Sequence, residues 1–407
     1  MVLRNFPNFL SAYFDYANDN FCPPQFHMWT GISLLAAILE RKVSLQQGKI
    51  HHFPNMYVML VSHPGVGKST AMDVGMDLLE TMKIHPEGNK FRIIPTQITE
   101  PGLIDMMKII DSFPIAGGKI MMRHSSGFFY ASEASASALQ NTCGDFVSAM
   151  TQFYDCPKFF RKKLKMEQQA TELVNVSMNM LAGSTFNYLR ELVNERSVMG
   201  GFASRLNYII SDERKIREAK WSQDQKVDEV TRNRLIEDML HIHKLSGPMK
   251  PTEGFIKCFE EWQPKFDKQM IELKSERLES INARNGTKLI KLAMVLSISE
   301  SDKLVVTEKH FEMARQMIEN TSSDHAFVLA QAVMADKESQ SGLVQVVLRN
   351  IENGHITCLK EITSFCLKSG FRHDMIEGSI KSMLTSKMIT VNADGTVVGK
   401  EKADRML

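Results

Sequence analysis

Cysteine pairs and long apolar runs are both missing from this 407-residue sequence. The six cysteines include no C-x-x-C spacing, which argues against a zinc ribbon and gives no sign of a disulfide framework. The longest apolar stretches, such as residues 32–39, fall well short of the ~20 residues that a membrane-spanning helix needs. The first residues also lack the pattern of a secretory signal. We therefore expect a cytoplasmic protein without a membrane partner.

Positively and negatively charged residues are nearly balanced. The 49 Lys and Arg residues against 47 Asp and Glu give a formal net charge of +2. Binding to nucleic acid would therefore depend on local basic patches. The hydrophobic content of 43% is sufficient for packed cores, and the length favours two or three domains.

The order of patterns along the chain predicts four regions. Residues 1–50 carry apolar positions at helical spacing, interrupted by two prolines, which predicts two N-terminal helices. Residues 51–214 alternate short apolar strands with helical stretches, the pattern of an α/β core with a parallel sheet. Residues 215–337 are charged and helical in spacing and predict a lid or bundle. Residues 338–407 predict three helices and an Asp-Gly hairpin, the order of a C-terminal winged helix.

Within the second region the apolar runs predict six strands. They lie at residues 57–61, 91–94, 119–122, 127–131, 176–182 and 207–211.

The segment from Ser62 to Thr70 carries the most specific motif of the sequence. It reads Ser-His-Pro-Gly-Val-Gly-Lys-Ser-Thr, which matches G-x-x-x-x-G-K-[ST] except that Ser62 replaces the first glycine. Small residues let successive backbone N–H groups surround phosphates, and the following helix adds partial positive charge. We expect Lys68 to bind the terminal phosphates of ATP and Ser69 to bind Mg²⁺. The other candidate nucleotide-binding residues of the loop are Pro64, Gly65, Val66, Gly67 and Thr70.

A carboxylate is needed opposite this loop, because hydrolysis requires a group that orients the attacking water. The predicted strand at residues 127–131 is followed by Ser132 and Glu133, and ligands of parallel sheets bind at the carboxyl ends of strands. Glu133 is therefore the candidate catalytic carboxylate and a second candidate Mg²⁺ ligand. Ser132 stands where an aspartate is usual, so we expect a weaker or water-mediated metal contact. The alternative is a helix start with Ser132 as N-cap.

Two further segments offer groups for phosphate chemistry. The predicted strand at residues 176–182 is followed by Gly183, Ser184 and Thr185, and Ser184 or Thr185 is a candidate sensor of the γ-phosphate. The alternative is a helix N-cap. Arg205, in the segment Gly-Gly-Phe-Ala-Ser-Arg, is a candidate arginine finger that neutralises charge during phosphoryl transfer. A surface salt bridge is the alternative.

Two basic clusters complete the candidates. Arg284, Lys288 and Lys291 lie near one face of a predicted helix, and Arg284 is a candidate nucleotide contact. The alternative is a solvated charged face, which is the more common explanation of such a run of charges. The densest basic cluster, residues 161–165, follows Phe159 and Phe160. Basic side chains beside aromatic ones suit a nucleic-acid backbone, while an ordinary solvated strand or loop fits equally well.

In this order the motifs resemble a phage and bacterial family of P-loop ATPases related to replicative helicases. The segments that carry the resemblance are residues 26–33, 64–69, 131–133, 183–185 and 200–205, and the similarity extends over most of residues 7–318. It implies a P-loop NTPase core of the AAA+/RecA-like kind. It also implies a homo-oligomeric ring, expected to be a hexamer, in which Lys68, Ser69 and Glu133 act within one subunit and Arg205 reaches the neighbour's nucleotide.

The function that follows from the resemblance is an ATP-dependent DNA helicase or replication ATPase of a phage or mobile element, located in the host cytoplasm. Single-stranded DNA and a primase or other replication protein are the expected partners. Ser62 and Ser132 depart from the usual motifs and favour an alternative, a nucleotide-switched helicase loader or origin-binding initiator that does not unwind DNA. An ATPase that acts on proteins or packages DNA is a further alternative.

Overall fold

The computed structural model describes most of the chain in two compact units, residues 1–326 and 327–407. The described residues are 4–18, 22–88, 91–108, 111–115, 120–139, 144–163, 170–186, 188–189, 201–211, 213, 228–272, 276–335, 343, 347–348, 350–351, 356–368, 373–386, 388–392 and 394–399.

The first half of the first unit alternates helices and strands, as an α/β fold requires. Its helices are α1 (Phe9–Ala17), α2 (Pro24–Leu39), α3 (Lys68–Ile84), α4 (Glu100–Met107) and α5 (Asp145–Tyr154). Its strands are β1 (Val43–Gln47), β2 (Ile50–His52), β3 (Tyr57–Val61), β4 (Ile93–Ile94), β5 (Asp111–Ile115), β6 (Ile120–Ala131), β7 (Phe159–Lys162), β8 (Thr171–Val174), β9 (Val176–Ser184) and β10 (Leu206–Ile210).

A parallel sheet forms the centre of this unit. Its strand order is β10-β3-β9-β6-β4, with β5 pairing antiparallel to β6. The five residues of β3 and all nine of β9 are buried, which is why neither strand alternates apolar with charged residues. The polar Asn179 of β9 is satisfied by the N–H of Met56 at 2.9 Å. The parallel α/β core expected from the sequence is confirmed. One detail was wrong: residues 120–122 and 127–131 belong to a single strand, β6, rather than to two, and residue 119 lies outside the described residues.

The two N-terminal helices predicted from the proline break are confirmed, and they pack on the core of the same unit. Helix α2 is apolar on nearly all sides because it is surrounded by α1, α3 and β9. Its contact with α3 depends on Gly75, where a Cβ would lie 2.6 Å from Cγ2 of Thr30. A larger residue at Gly75 would force α3, which begins at Lys68, away from α2.

The region expected to be a helical lid contains helices and two short strands. They are α6 (Glu229–His243), β11 (Gly247–Pro251), α7 (Glu253–Glu272), α8 (Glu276–Asn282), α9 (Asn285–Glu300), β12 (Val305–Val306) and α10 (Glu308–Ala335). Strands β11 and β12 join β1 and β2 in a second sheet of order β12-β11-β1-β2. Helix α9 lies in the main hydrophobic core with α1 and α2. The described residues of this region up to Ala326 therefore belong to the first unit, and the end of α10 belongs to the second.

The second unit has a small core of its own. It contains α11 (Leu359–Lys368), α12 (His373–Thr385) and an antiparallel hairpin of β13 (Ile389–Val391) and β14 (Val397–Gly399). Gly395 in the turn has φ +84°, a conformation that favours glycine. The helices and the hairpin follow the order expected from the sequence.

None of the described helices has both the length and the apolar composition needed to cross a membrane.

Candidate functional site

The loop between β3 and α3 has the shape that its glycines allow. Gly65 and Gly67 have φ of +84° and +100°, in the region where residues with a Cβ are strained. A Cβ at Gly65 would meet no atom within 4 Å, so the loop borders open space. Gly67 is the N-cap of α3, and the first backbone N–H groups of that helix lack partners within the helix. This combination forms a cradle for an anion.

Lys68 is folded back over the loop and is 7% exposed. Its Nζ donates to Oγ of Ser62 at 2.9 Å, to the carbonyl oxygen of Ser62 at 3.1 Å and to that of His63 at 3.3 Å. Burial lowers the pKa of Lys68, and the negative charge of Glu133 acts in the opposite direction. The ammonium group is thus held inside the cradle by neutral oxygens.

Ser62, which departs from the usual glycine, takes part in this arrangement. Its side chain is buried and also donates to the carbonyl oxygen of His63 at 3.0 Å. The departure therefore supplies Lys68 with one more acceptor in the free protein.

Glu133 lies at the same edge of the sheet as the loop. Strand β9 separates β3 from β6, with Val61 opposite Ser184 and Ala131 opposite Ala182. The continued register brings Glu133 beside Ser184, and Oγ of Ser135 donates to the Glu133 carboxylate at 2.8 Å. Glu133 is half-buried and is the N-cap residue of a short 3₁₀ helix, Ala134–Ala136, without a side-chain capping bond.

The remaining candidates of the loop differ in exposure. Ser69 and Thr70 are exposed in the first turn of α3, whereas Ser184 is fully buried and donates to the carbonyl oxygen of Thr185 at 3.3 Å. Thr185 also acts as the side-chain acceptor for the N–H of Tyr188 at 3.4 Å. The N-cap alternative therefore describes Thr185 in this structure.

A tyrosine that the sequence did not single out connects α3 to the strand of Glu133. The hydroxyl of Tyr130 donates to Oδ1 of Asp73 at 2.8 Å. Burial raises the pKa of Tyr130, and the bond to Asp73 raises it further. This contact fixes the helix of Lys68 relative to the end of β6. The sequence shows a tyrosine three residues before Glu133. It does not show that Asp73 on α3 is the hydrogen-bond partner of that tyrosine.

Gly183 controls how closely Glu133 approaches β9. A Cβ at Gly183 would lie 2.3 Å from the backbone oxygen of Ser132, so Gly183→Ala must push the end of β6 aside. We expect the variant to lose about 1–3 kcal/mol of unfolding free energy. If the site hydrolyses ATP, turnover should fall as well, because Glu133 is displaced.

The matched control is Gly127→Ala in β6, for which the three atoms nearest to the new Cβ would be side-chain atoms of Ile94 and Met178 at 3.2–3.3 Å. Urea titration and ATP turnover measure the two effects. Parental stability and turnover in Gly183→Ala would show that the close contact does not position the carboxylate.

Arg205 and Arg284 are not brought to the phosphate loop of their own chain. Arg205 precedes β10, whose first residue pairs with the first residue of β3, so it lies at the amino edge of the sheet, about 15 Å from the loop along the five-residue strand. There the guanidinium of Arg205 pairs with Asp155, and Arg284 Nη1 lies 2.8 Å from Oδ1 of the same Asp155. Arg205 is buried, whereas the side chain of Asp155 is 43% exposed, so the salt bridge considered as an alternative is present and reaches the surface through its acidic partner.

Lys288 and Lys291 do not form a solvated face with Arg284, which corrects the alternative drawn from the sequence. Both are buried in α9. Lys288 donates to the carbonyl oxygen of Leu206 at 2.6 Å, and Lys291 donates to Oδ1 of Asn55 at 2.6 Å. Burial lowers the pKa of Lys288 to about 7 and that of Lys291 to about 8, and Arg284 also lowers the pKa of Lys288. These lysines fasten α9 to the amino edge of the sheet.

The basic cluster at residues 161–165 begins in an antiparallel hairpin. Arg161 and Lys162 end β7, which pairs with β8, and residues 164 and 165 lie outside the described residues. Lys162 pairs with Glu100 at 2.5 Å, and Arg161 pairs with Glu172. Gly200 of the Arg205 segment also lies outside the described residues.

A scan against protein-family models gives no match for this chain, and a search of curated proteins finds no similar protein.

Proposed function

We propose that this protein is a P-loop ATPase that hydrolyses ATP to drive movement on DNA or remodelling of DNA. The observation that carries the proposal is the placement of Lys68 and Glu133 at one edge of the parallel sheet. Lys68 ends the loop that follows β3, Glu133 comes two residues after β6, and Ser184 ends the strand between them, β9. Ligands of such sheets bind beyond the carboxyl ends of the strands. A cationic cradle facing a carboxylate is the arrangement that phosphoryl transfer to water needs.

The loop fits a nucleoside triphosphate. Pro64 and Gly65 are exposed, a Cβ at Gly65 would meet no atom within 4 Å, and Val66 is buried. The backbone N–H groups of Gly67 and of the start of α3 would supply donors for the phosphates. Lys68 would exchange the oxygens of Ser62 and His63 for phosphate oxygens. Such an exchange replaces neutral acceptors with charged ones, and hydrogen bonds to charged acceptors are the stronger ones.

Ser69 and Glu133 are the residues that would hold Mg²⁺, and Thr70 lies beside Ser69. The described part of the chain contains no group of three or more His, Cys, Asp or Glu side chains suited to a metal ion. Mg²⁺ in nucleotide sites is commonly bound through one or two side chains, with substrate phosphates and water as the other ligands. The metal would neutralise charge on the phosphates, while Glu133 would orient the attacking water.

Arg205 and Arg284 can take part in hydrolysis only through a second subunit, because both lie at the sheet edge opposite their own loop. We propose that they face the nucleotide of a neighbouring copy in a ring, with Asp155 holding both guanidiniums in the free subunit. For Ser184, at the same sheet edge as the loop, we propose the role of a γ-phosphate sensor within its own subunit. The second unit, with its helices and hairpin, is proposed as a winged helix that binds DNA or a replication protein.

The test is steady-state ATP hydrolysis by the full-length protein, with and without single-stranded DNA, beside strand displacement on a labelled fork. DNA-stimulated turnover with unwinding supports the helicase. The absence of ATP turnover at every protein concentration and on every DNA substrate would overturn the proposal.

A helicase loader or initiator is the second candidate, and a specific observation favours it. Ser62 adds an acceptor that holds Lys68 inside the loop, and Ser132 replaces the usual aspartate, so both departures favour slow hydrolysis. Slow turnover without strand displacement is the result expected for a nucleotide-switched loader.

A further inference from the structure

The exposed face of β7 is the surface outside the phosphate site that most resembles a ligand-binding surface. Phe159 is 49% exposed, although aromatic side chains gain most from burial. The next residue, Phe160, points to the other side, where its ring packs edge-on against Phe153 with centroids 4.9 Å apart. The alternation of the strand thus leaves one aromatic ring half-buried against Phe153 and presents the other to solvent.

The charges around Phe159 are mostly positive. Nζ of Lys158 lies 5.8 Å from the ring centroid and Cζ of Arg161 lies 5.5 Å from it. Lys163 follows the strand and is exposed. Glu172, opposite Arg161 on β8, is the acid of this face and pairs with Arg161. Lys158 and Lys163 therefore extend the positive charge along the strand on both sides of the ring.

A second element adds to this charge. Arg123 of β6 is exposed, and its carbonyl oxygen accepts from Nδ2 of Asn175 at 2.7 Å, which ties it to the base of the hairpin. The exposed face of β7 thus combines three cationic residues with one acid, and Arg123 lies beside the base of the hairpin, in a protein whose formal net charge is only +2.

We propose that Phe159 is a stacking platform for one base of a single-stranded nucleic acid, with Lys158, Arg161 and Lys163 contacting the phosphates on either side of that base. An exposed ring offers its face to any base, and flanking cations follow the backbone, so such a surface selects single strands without reading their sequence. A duplex keeps its bases stacked within the helix, so its phosphates would contact the cationic side chains but its bases would not stack on Phe159. The inference deepens the proposed function, since it locates the contact with DNA.

The experiment is fluorescence anisotropy of a labelled oligodeoxythymidine of about 15 nucleotides with the full-length protein, a length of the order of known single-strand sites. An oligouridine arm distinguishes DNA from RNA as the source of the strand, and a duplex arm measures binding by charge alone. We expect Phe159→Ala to weaken binding to the preferred single strand about tenfold. Phe159→Trp should keep parental affinity, because it preserves an aromatic face.

Two controls separate stacking from other effects. Ile271→Ala removes an apolar side chain that is 64% exposed in α7 and should bind like the parent. The double variant Lys158→Gln, Lys163→Gln should reduce the slope of log affinity against log salt by about 1.4, since each phosphate contact to a single strand contributes about 0.7. Thermal melting checks that each variant is folded.

Equal affinity of the parent and Phe159→Ala for the single strand would overturn the inference, as would equal losses of duplex and single-strand binding in that variant. If the protein binds single strands through Phe159 but has no ATP turnover, the stacking platform is supported and the proposed function is overturned. If it turns over ATP but binds single strands equally well without Phe159, the proposed function is supported and the platform is overturned.

Discussion

Lys68→Ala should lose both tight binding of ATP and its hydrolysis. The ammonium group of Lys68 is the one cationic side chain that the described loop places inside the cradle, and removing a preorganised donor from a developing charge costs about 100-fold or more in turnover. Binding should weaken as well, because the lysine contacts phosphates in the ground state. A fluorescent ATP analogue measures affinity, and release of phosphate measures turnover.

Lys83→Ala is the matched control, since Lys83 lies near the end of the same helix, α3, and is half-buried. It should behave like the parent in both assays. If Lys68→Ala retains parental turnover while the protein is folded, the loop is not the hydrolytic site.

Lys288→Met should make the protein more stable at neutral pH. Burial holds the pKa of Lys288 near 7 in the folded protein, against about 10.4 in an unfolded chain. Replacing buried charges by apolar side chains of similar volume gains about 1–4 kcal/mol of unfolding free energy. The lost hydrogen bond to the carbonyl oxygen of Leu206 offsets about 1 kcal/mol of that gain.

The pH dependence has a definite sign. Below about pH 7 both states carry the Lys288 proton, so the cost of burying the charge is present in full. Between about pH 7 and 10 the unfolded chain holds a proton that the folded chain has lost, and the parent gains stability with rising pH. The advantage of Lys288→Met should therefore shrink over this window.

Lys303→Met, at an exposed position, is the control and should show neither the gain nor the pH dependence. Urea titrations at pH 6, 7, 8 and 9 measure both; a variant less stable than the parent throughout would contradict the expectation.

The parts of the site that depend on short, continuous segments could be predicted from the sequence. The buried strand β3, the glycine loop and helix α3 follow each other without interruption, and local pattern determines each of them. Glu133 could also be predicted, since it follows an apolar run. The extent of β6 could not, because Arg123 and His124 interrupt the apolar pattern and the strand continues only through pairing with β5 and β9.

The features that the sequence did not reveal depend on distant partners. Lys288 and Lys291 have the spacing of an exposed charged face, yet backbone and side-chain oxygens from far along the chain satisfy them inside the core. The position of Arg205 relative to Lys68 depends on strand order, which the spacing of motifs does not encode. Strand β11 is short and contains two prolines, and its partner β1 lies far earlier in the chain. Its local sequence pattern therefore did not predict a strand.

The pairing of Lys68 with Glu133 in one catalytic site is tested most directly by the nucleotide that purified Glu133→Gln retains after incubation with Mg²⁺ and ATP. The substitution keeps the size of the side chain and its bond with Ser135 possible, but removes the charge that orients water. We expect the variant to hold ATP with parental affinity while the parent holds ADP. Recovery of ADP from the variant at the parental rate would show that Glu133 is not the catalytic carboxylate and would contradict the proposed site.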